Sequence, residues 1–348
     1  MTEADDLRVG LVGYGVAGAF FHAPLIAATP GLRLTTVVTR DPRRAAEASG
    51  RYGVRVAAGA EELWDSVDLV VVASPNRTHV PLATAALSAG LPVVVDKPLA
   101  ATAAEARGLL DLARERGLML TVFQNRRWDG DFLTIERLVA SGELGAVRRL
   151  ESRFERWRPV PKGGWRELGG AEEVGGLLYD LGSHLVDQAL RLLGPVTSVY
   201  AESDVRRAGV ASDDDTFIAL THAGGARSHL WASAVAPLLG PRFRVLGAEA
   251  GYVKHGLDVQ EDRLRAGLVP GSPGFGDDPE ERWGVLGTEE SGRRIRTEPG
   301  AYLDFYAAVV TALREGAAPP VDPEEVAYAL TVLEAARRSA AEGTAVAL

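Results

Sequence analysis

Arg8-Val9-Gly10-Leu11-Val12 runs directly into Gly13-Tyr14-Gly15-Val16-Ala17-Gly18 and then into an apolar helical segment that reaches Ile26. A short apolar strand, a glycine turn and a helix form the setting in which this glycine spacing has physical meaning. In a βαβ unit Gly13 would make the tight turn and Gly15 would let the backbone approach a pyrophosphate. Gly18 would let the helix close on the strand. The pyrophosphate would rest on the helix N-terminus, where backbone N–H groups converge. Glycine-rich turns also serve as plain connectors, so the neighbouring segments have to decide.

The next strand, Leu32 to Val38, ends in Thr39-Arg40-Asp41-Pro42-Arg43-Arg44. A site for NAD places an acid there to grip the ribose hydroxyls, whereas a cation beside a hydroxyl suits the 2′-phosphate of NADP. Arg40 with Thr39, supplemented by Arg43 and Arg44, favours NADP; Asp41 keeps NAD open, and a solvated helix start is the plain alternative. Asp68 to Ala73 is another apolar strand of parallel-sheet type, ending in Ser74-Pro75-Asn76 before a helix from about Thr78 to Leu87. Ligands of such sheets collect outside the carboxyl ends of the strands, which places Ser74, Pro75 and Asn76 along the nicotinamide ribose. His79 reads as a helix-start residue.

Val93-Val94-Val95-Asp96-Lys97-Pro98 is a further strand that ends in a charged pair. Of 38 Lys plus Arg, only Lys97, Lys162 and Lys254 are lysine, so a lysine at a strand mouth calls for a reason. An ammonium can pass a proton at neutral pH and a guanidinium cannot. A helix to about Arg116, a strand from Met119 to Phe123 and the segment Gln124-Asn125-Arg126-Arg127-Trp128 follow. The expected domains are therefore 1–123, a Rossmann NAD(P)-binding domain, and 124–348, an α+β domain.

With 348 residues, 46% of them hydrophobic, the chain can build two cores. The net charge of −9 disfavours nucleic acid, and no apolar run approaches a membrane span. The acidic start, Met-Thr-Glu-Ala-Asp-Asp-Leu-Arg, has the wrong polarity for a secretory signal and points to the cytoplasm. With no Cys there is no thiolate nucleophile and no Cys-ligated metal.

After residue 124 the pattern turns to strand-like runs, namely Val147–Arg156, Val196–Val205, Thr216–His222, Arg227–Val235 and Phe243–Leu246. Consecutive strands with few helices imply a large, mostly antiparallel open sheet, and an uncovered sheet face suits contact with a second copy. A homodimer or homotetramer is expected. Gly267 to Pro279 reads as a long loop, and Ala301–Glu315 and Pro323–Ala341 as helices. Gly175 to Leu193 reads as one helix on which Asp180, His184 and Gln188 recur every four residues. Asp180 could accept a hydrogen bond from a substrate hydroxyl, and His184 could take its proton. Capping by Asp180 with a satisfied His184 is the plain alternative; a metal site lacks a third ligand nearby, so none is expected.

Taken together, Gly13 to Gly18, Asp96-Lys97-Pro98 and Gly175 to His184 resemble, in order, the motifs of the glucose-fructose oxidoreductase/inositol dehydrogenase/rhizopine-catabolism (Gfo/Idh/MocA) family of NAD(P)-dependent oxidoreductases. Within it, Phe21-His22-Ala23-Pro24-Leu25, Asn125-Arg126-Arg127-Trp128-Asp129 and Tyr179 to His184 look most like the NADP-dependent scyllo-inositol dehydrogenase branch. The resemblance implies a Rossmann domain followed by an open-sheet oligomerisation domain. It also implies hydride transfer between the nicotinamide and a hydroxyl or keto carbon of a cyclic polyol or sugar. In that family's terms Lys97 would hydrogen-bond the reacting oxygen, His184 would act as acid/base and Asp180 would orient the substrate. Arg127 and Tyr302 would line the pocket, and Asp96, Gln124, Trp165 and Arg166 would face the cofactor. Asp96 departs from the family's usual Glu by one methylene, which leaves open any cofactor contact made by that carboxylate. Two other activities stay in view: a redox-neutral glycosidase that uses NAD within each cycle, and a nucleotide- or sugar-sensing regulator without turnover.

Overall fold

The computed structural model describes residues 6–168 and 175–348. The chain splits into two compact units, the first made of Met1–Trp128, Val259–Gly276 and Ala301–Ala327, and the second of Asp129–Asp258, Asp277–Gly300 and Tyr328–Leu348.

In the first unit, β1 (Leu7–Val12), β2 (Leu32–Val38), β3 (Arg55–Ala57), β4 (Leu69–Val72), β5 (Val93–Asp96) and β6 (Leu120–Phe123) form one sheet in the order β3-β2-β1-β4-β5-β6. Every pairing is parallel. This is the doubly wound Rossmann arrangement, in which the strand order reverses between β1 and β4 and leaves a crevice at their carboxyl ends. All four residues of β4 are fully buried, as a strand covered on both faces requires. The crossover helices start and stop where local chemistry tells them to. Asp41 caps Pro42–Tyr52 by accepting from the amides of Arg43 and Arg44, and Gly53 ends that helix at φ 66°. Thr102 and Glu105 form a reciprocal capping box on Ala103–Arg116.

The first helix, after the glycine turn, is irregular. It widens over Gly18–His22 into a π-turn closed by the Ala23 amide on the Gly18 carbonyl, then resumes as Ala23–Ala28. Such turns carry one extra residue and re-aim the side chains around them.

The second unit holds β7 (Arg149–Glu155), β8 (Val196–Asp204), β9 (Asp215–His222), β10 (Arg227–Ser233), β11 (Phe243–Leu246), β12 (Gly251–Lys254), β13 (Gly284–Gly287), β14 (Gly292–Ile295) and β15 (Val346–Ala347). They form one open sheet in the order β14-β13-β12-β11-β7-β10-β9-β8-β15, antiparallel throughout except for the β7–β10 pair. Burial alternates strictly along β9 and β11, so one face is core and the other is not. Helix Gly182–Leu193 packs on β7 and β10 from the buried side. On the other face, Phe217 and Trp231 pair across β9 and β10 with ring centroids 5.2 Å apart, and the Arg153 guanidinium lies 3.9 Å over Trp231.

Two expectations change. The segment read as one helix from Gly175 is broken: Leu177–Asp180 is a short helix, Leu181 is a turn, and Gly182–Leu193 is the long helix. β12 to β15 and helix Gln260–Arg265 were not expected at all.

Candidate active site

A methyl group added at each glycine of the turn meets different surroundings. A Cβ on Gly13, which sits at φ 101°, would lie 2.6 Å from the Ala73 carbonyl oxygen, so only glycine lets β1 and β4 end side by side. A Cβ on Gly18 would lie 2.1 Å from the Gly13 carbonyl oxygen. Gly15 differs: nothing lies within 4 Å of its added Cβ, and its backbone faces open space at the start of the helix. Two glycines thus close the turn and the third leaves room, which fits a dinucleotide pyrophosphate.

At the end of β2, Arg40 is exposed and its Nε donates to the Ala58 carbonyl at 3.4 Å. Thr39 Oγ1 accepts from the Asp41 amide at 3.3 Å. The Asp41 carboxylate is committed to capping; the Arg44 and Arg43 amides it accepts from hold its pKa below the usual range. Arg43 and Arg44 are exposed on the first turn of that helix.

The mouths of β4 and β5 are tied together. His79 is fully buried, with Nδ1 2.7 Å from the Pro98 carbonyl oxygen and Nε2 2.9 Å from that of Ser74. Ser74 Oγ lies 2.6 Å from Thr78 Oγ1, and Pro75 and Asn76 open the turn that follows. Lys97 is half-buried directly after β5, joined to Pro98 by a cis peptide bond. Burial alone would raise the Asp96 carboxyl, but the neighbouring His22, Lys97 and His79 outweigh it and hold it below its ordinary pKa. Gln124, just past β6, is buried.

Arg127 and Tyr302 are engaged within the first unit. Arg127 is buried and pairs with Glu325 at 2.8 Å. Tyr302 Oη accepts from Arg126 Nη1 at 3.0 Å, and Arg126 also pairs with Glu261. Burial would raise the Glu261 carboxyl, yet Arg126 and Arg265 pull it down to about 2.

In the second unit the short helix before His184 is held at its start from outside. Gly176, at φ 87°, lies where any Cβ would strike the Asp213 carboxylate. Asp213 in turn accepts from the Leu178 amide at 2.7 Å and from Thr216 Oγ1 at 2.9 Å, capping the short helix from outside. Asp180 is half-buried on the last turn of that helix, and His184 is 4% exposed on the first turn of the next. The His184 ring lies 6.3 Å from that of Phe154 on β7. Gln188 serves packing: its Oε1 accepts from Arg242 Nη2 at 2.9 Å, and the Arg242 guanidinium is sandwiched between Phe154 and Phe243 at 3.9 and 4.0 Å. Trp165 and Arg166 begin the helix Trp165–Leu168; the contacts expected of their side chains lie outside the described residues.

The structure gathers Gly13, Gly15, Gly18, Ser74, Pro75, Asn76, Asp96 and Lys97 at the carboxyl edge of the parallel sheet, while Asp180 and His184 stand on the junction of two helices in the second unit. Sequence reading gave no role to His22, Tyr306, Asp213 or Arg242. The signal for Asp213 was available in Gly175-Gly176, a doublet that opens no helix by propensity and needs an outside cap.

A family profile described as an oxidoreductase family with an NAD-binding Rossmann fold matches residues 7–124, and the profile of its C-terminal alpha/beta domain matches residues 136–348. The chain belongs to the Gfo/Idh/MocA oxidoreductase family. Members similar to it include a scyllo-inositol 2-dehydrogenase (NADP(+)) of Bacillus subtilis, 35% identical over 98% of this chain and 95% of the relative. An uncharacterized oxidoreductase of Escherichia coli is 40% identical over 97% of each chain. The structure of an oxidoreductase from Bacillus subtilis matches with a TM-score of 0.93 and 34% identity, covering 100% of both chains. As a Gfo/Idh/MocA protein, the chain is an NAD(P)-using oxidoreductase whose nucleotide half is the Rossmann unit.

Proposed function

We propose that the chain is an NADP-dependent dehydrogenase or reductase acting on a hydroxyl or keto carbon of a cyclic polyol or sugar, such as an inositol. The observation that carries this reading is the strand mouth of β5: it delivers a lysine, in a chain almost without lysine, to the carboxyl edge of a sheet whose glycine turn leaves a backbone opening at Gly15. The bound nucleotide would supply the hydride donor or acceptor. Gly13, Gly15 and Gly18 would cradle its pyrophosphate, and Ser74, Pro75 and Asn76 would border its ribose.

Lys97 would donate to the reacting oxygen and hold its charge. His184 would take or return the hydroxyl proton, and Asp180 would accept a hydrogen bond from a neighbouring substrate hydroxyl. The preference for NADP is supported by Arg40, whose guanidinium pairs with no carboxylate among the described residues, and by Asp41, whose carboxylate is spent on a helix cap. The similarity to an NADP-dependent scyllo-inositol 2-dehydrogenase supports the substrate class. The half-exposed aromatic face of the second sheet supports assembly as a homodimer or homotetramer.

The test is a panel of inositols, other polyols and aldoses, with the matching ketones, assayed with each nucleotide by absorbance at the reduced-nicotinamide band. Turnover of at least one ring polyol or its ketone with NADP(H) is expected. Turnover confined to glycosidic bonds, with no net change in nucleotide, would replace the proposal with the redox-neutral reading.

A further inference from the structure

His22 is fully buried on the π-turn that follows the glycine turn, and none of the roles assigned above uses it. Its ring lies against Phe123, with centroids 4.6 Å apart, and meets Tyr306 edge-on at 6.2 Å. Its Nδ1 is 2.6 Å from Tyr306 Oη. Its Nε2 has no hydrogen-bond partner and is aimed at Asp96 Oδ1 from 3.7 Å, beyond hydrogen-bond length. Tyr306 is itself fully buried.

These contacts favour one placement of the protons. Burial, and then the nearby Asp96, raise the Tyr306 phenol well above its ordinary pKa, so it stays protonated. With the Tyr306 hydroxyl donating, Nδ1 is the acceptor and a neutral ring carries its proton on Nε2, facing Asp96. A buried N–H without an acceptor is costly, and Asp96 Oδ1 lies 3.7 Å from Nε2. Four groups face Asp96, namely His22, Lys97, His79 and Tyr306, and they come from four separate segments of the first unit.

We propose that Tyr306, His22 and Asp96 form a positioning line, Tyr306 Oη–H to His22 Nδ1 and His22 Nε2–H to the Asp96 carboxylate, that anchors the strand mouth presenting Lys97. His22 and Tyr306, both fully buried, are positioning residues that act through Asp96 on its chain neighbour. The extra residue of the π-turn is what brings the imidazole to this line. The assignment rests on the proposal that Lys97 works on the reacting oxygen.

The test has two readouts. Nitrogen-15 NMR of the histidine rings should show the His22 proton on Nε2 with Nδ1 as the acceptor, and Tyr306→Phe should lose that single arrangement. In turnover, Tyr306→Phe and His22→Phe should each lower kcat by about twofold to tenfold, the worth of one neutral hydrogen bond. Nucleotide affinity should be unchanged and the pH profile of kcat altered, whereas His22→Gln, which keeps an N–H donor, should recover most of the rate. If His22→Phe does not fold, Tyr306→Phe alone carries both measurements. An Nδ1–H tautomer in the wild type, or a kcat profile unmoved in folded Tyr306→Phe, would overturn the proposal. If instead the wild type shows the Nε2–H tautomer and no polyol or sugar turns over, the positioning line stands and the functional reading fails.

Discussion

β4 and β9 show how differently the two units use their sheets. Every residue of β4 is buried, so the parallel sheet has no spare face and its chemistry is confined to strand ends. β9 buries alternate residues only, leaving Phe217 and its neighbours Trp231 and Arg153 on a face available to another molecule. The first unit therefore offers an edge, and the second a surface. Substitutions should expose that contrast.

The largest effects are expected where the two units supply chemistry. His184→Ala should lower kcat by about 10²–10⁴, the range for loss of a general acid/base, and remove an ionisation from the pH profile. Lys97→Arg should stop turnover while leaving NADPH affinity, measured by fluorescence, near wild type. Normal turnover in both variants would mean that neither unit carries the proposed site.

Packing gives the next contrast. Leu69→Ala in β4 should cost about 2–5 kcal/mol in thermal or denaturant unfolding, as buried Leu truncations do. Phe217→Ala should cost about 1 kcal/mol or less per chain and should instead weaken self-association, read as mass by light scattering. A wild type that runs as a clean monomer would leave the open face without its proposed occupant.

Acid should reach the first unit through Glu261. Its carboxyl is held at about 2, below the unfolded value, so its contribution is present above about pH 4.3 and is lost as pH falls through 2. Glu261→Gln should remove up to about 3 kcal/mol at neutral pH and flatten the acid limb of the stability curve. An unchanged acid limb would show that Arg126 is satisfied without Glu261.

The smallest effects separate binding from folding. Gly15→Ala should fold with an unchanged melting temperature yet weaken both nucleotides, because its added methyl meets no protein atom. Arg40→Ala should remove a preference for NADPH over NADH of about tenfold to a hundredfold. Equal affinity of the wild type for the two nucleotides would remove Arg40 from the site.

The same difference between the sheets decides what could be read from sequence. Runs such as Val93–Val95 announce buried parallel strands with their ends, so the Rossmann topology and the residues at its mouths follow from the chain itself. β12 to β15 are two to four residues long, and β14 is Gly-Arg-Arg-Ile, too short and too polar for periodicity to register. The break at Leu181 escaped because the four-residue spacing of Asp180 and His184 survives it, and the Asp213 carboxylate that caps the short helix lies more than thirty residues away. His22 was hidden for a related reason. Helical spacing counts residues at 3.6 per turn, and a π-turn shifts that count by one.

Lysine scarcity has a practical consequence. Lys254 is 1% exposed and pairs with Asp278 at 2.9 Å, while Lys162 is exposed and Lys97 half-buried at the β5 mouth. An amine-selective reagent therefore meets two side chains in the folded protein, one at the proposed nucleotide edge and one elsewhere. Peptide mass mapping after labelling turns the pair into an occupancy gauge: Lys162 sets the reference, and protection of Lys97 reports what fills the crevice, without any need for turnover.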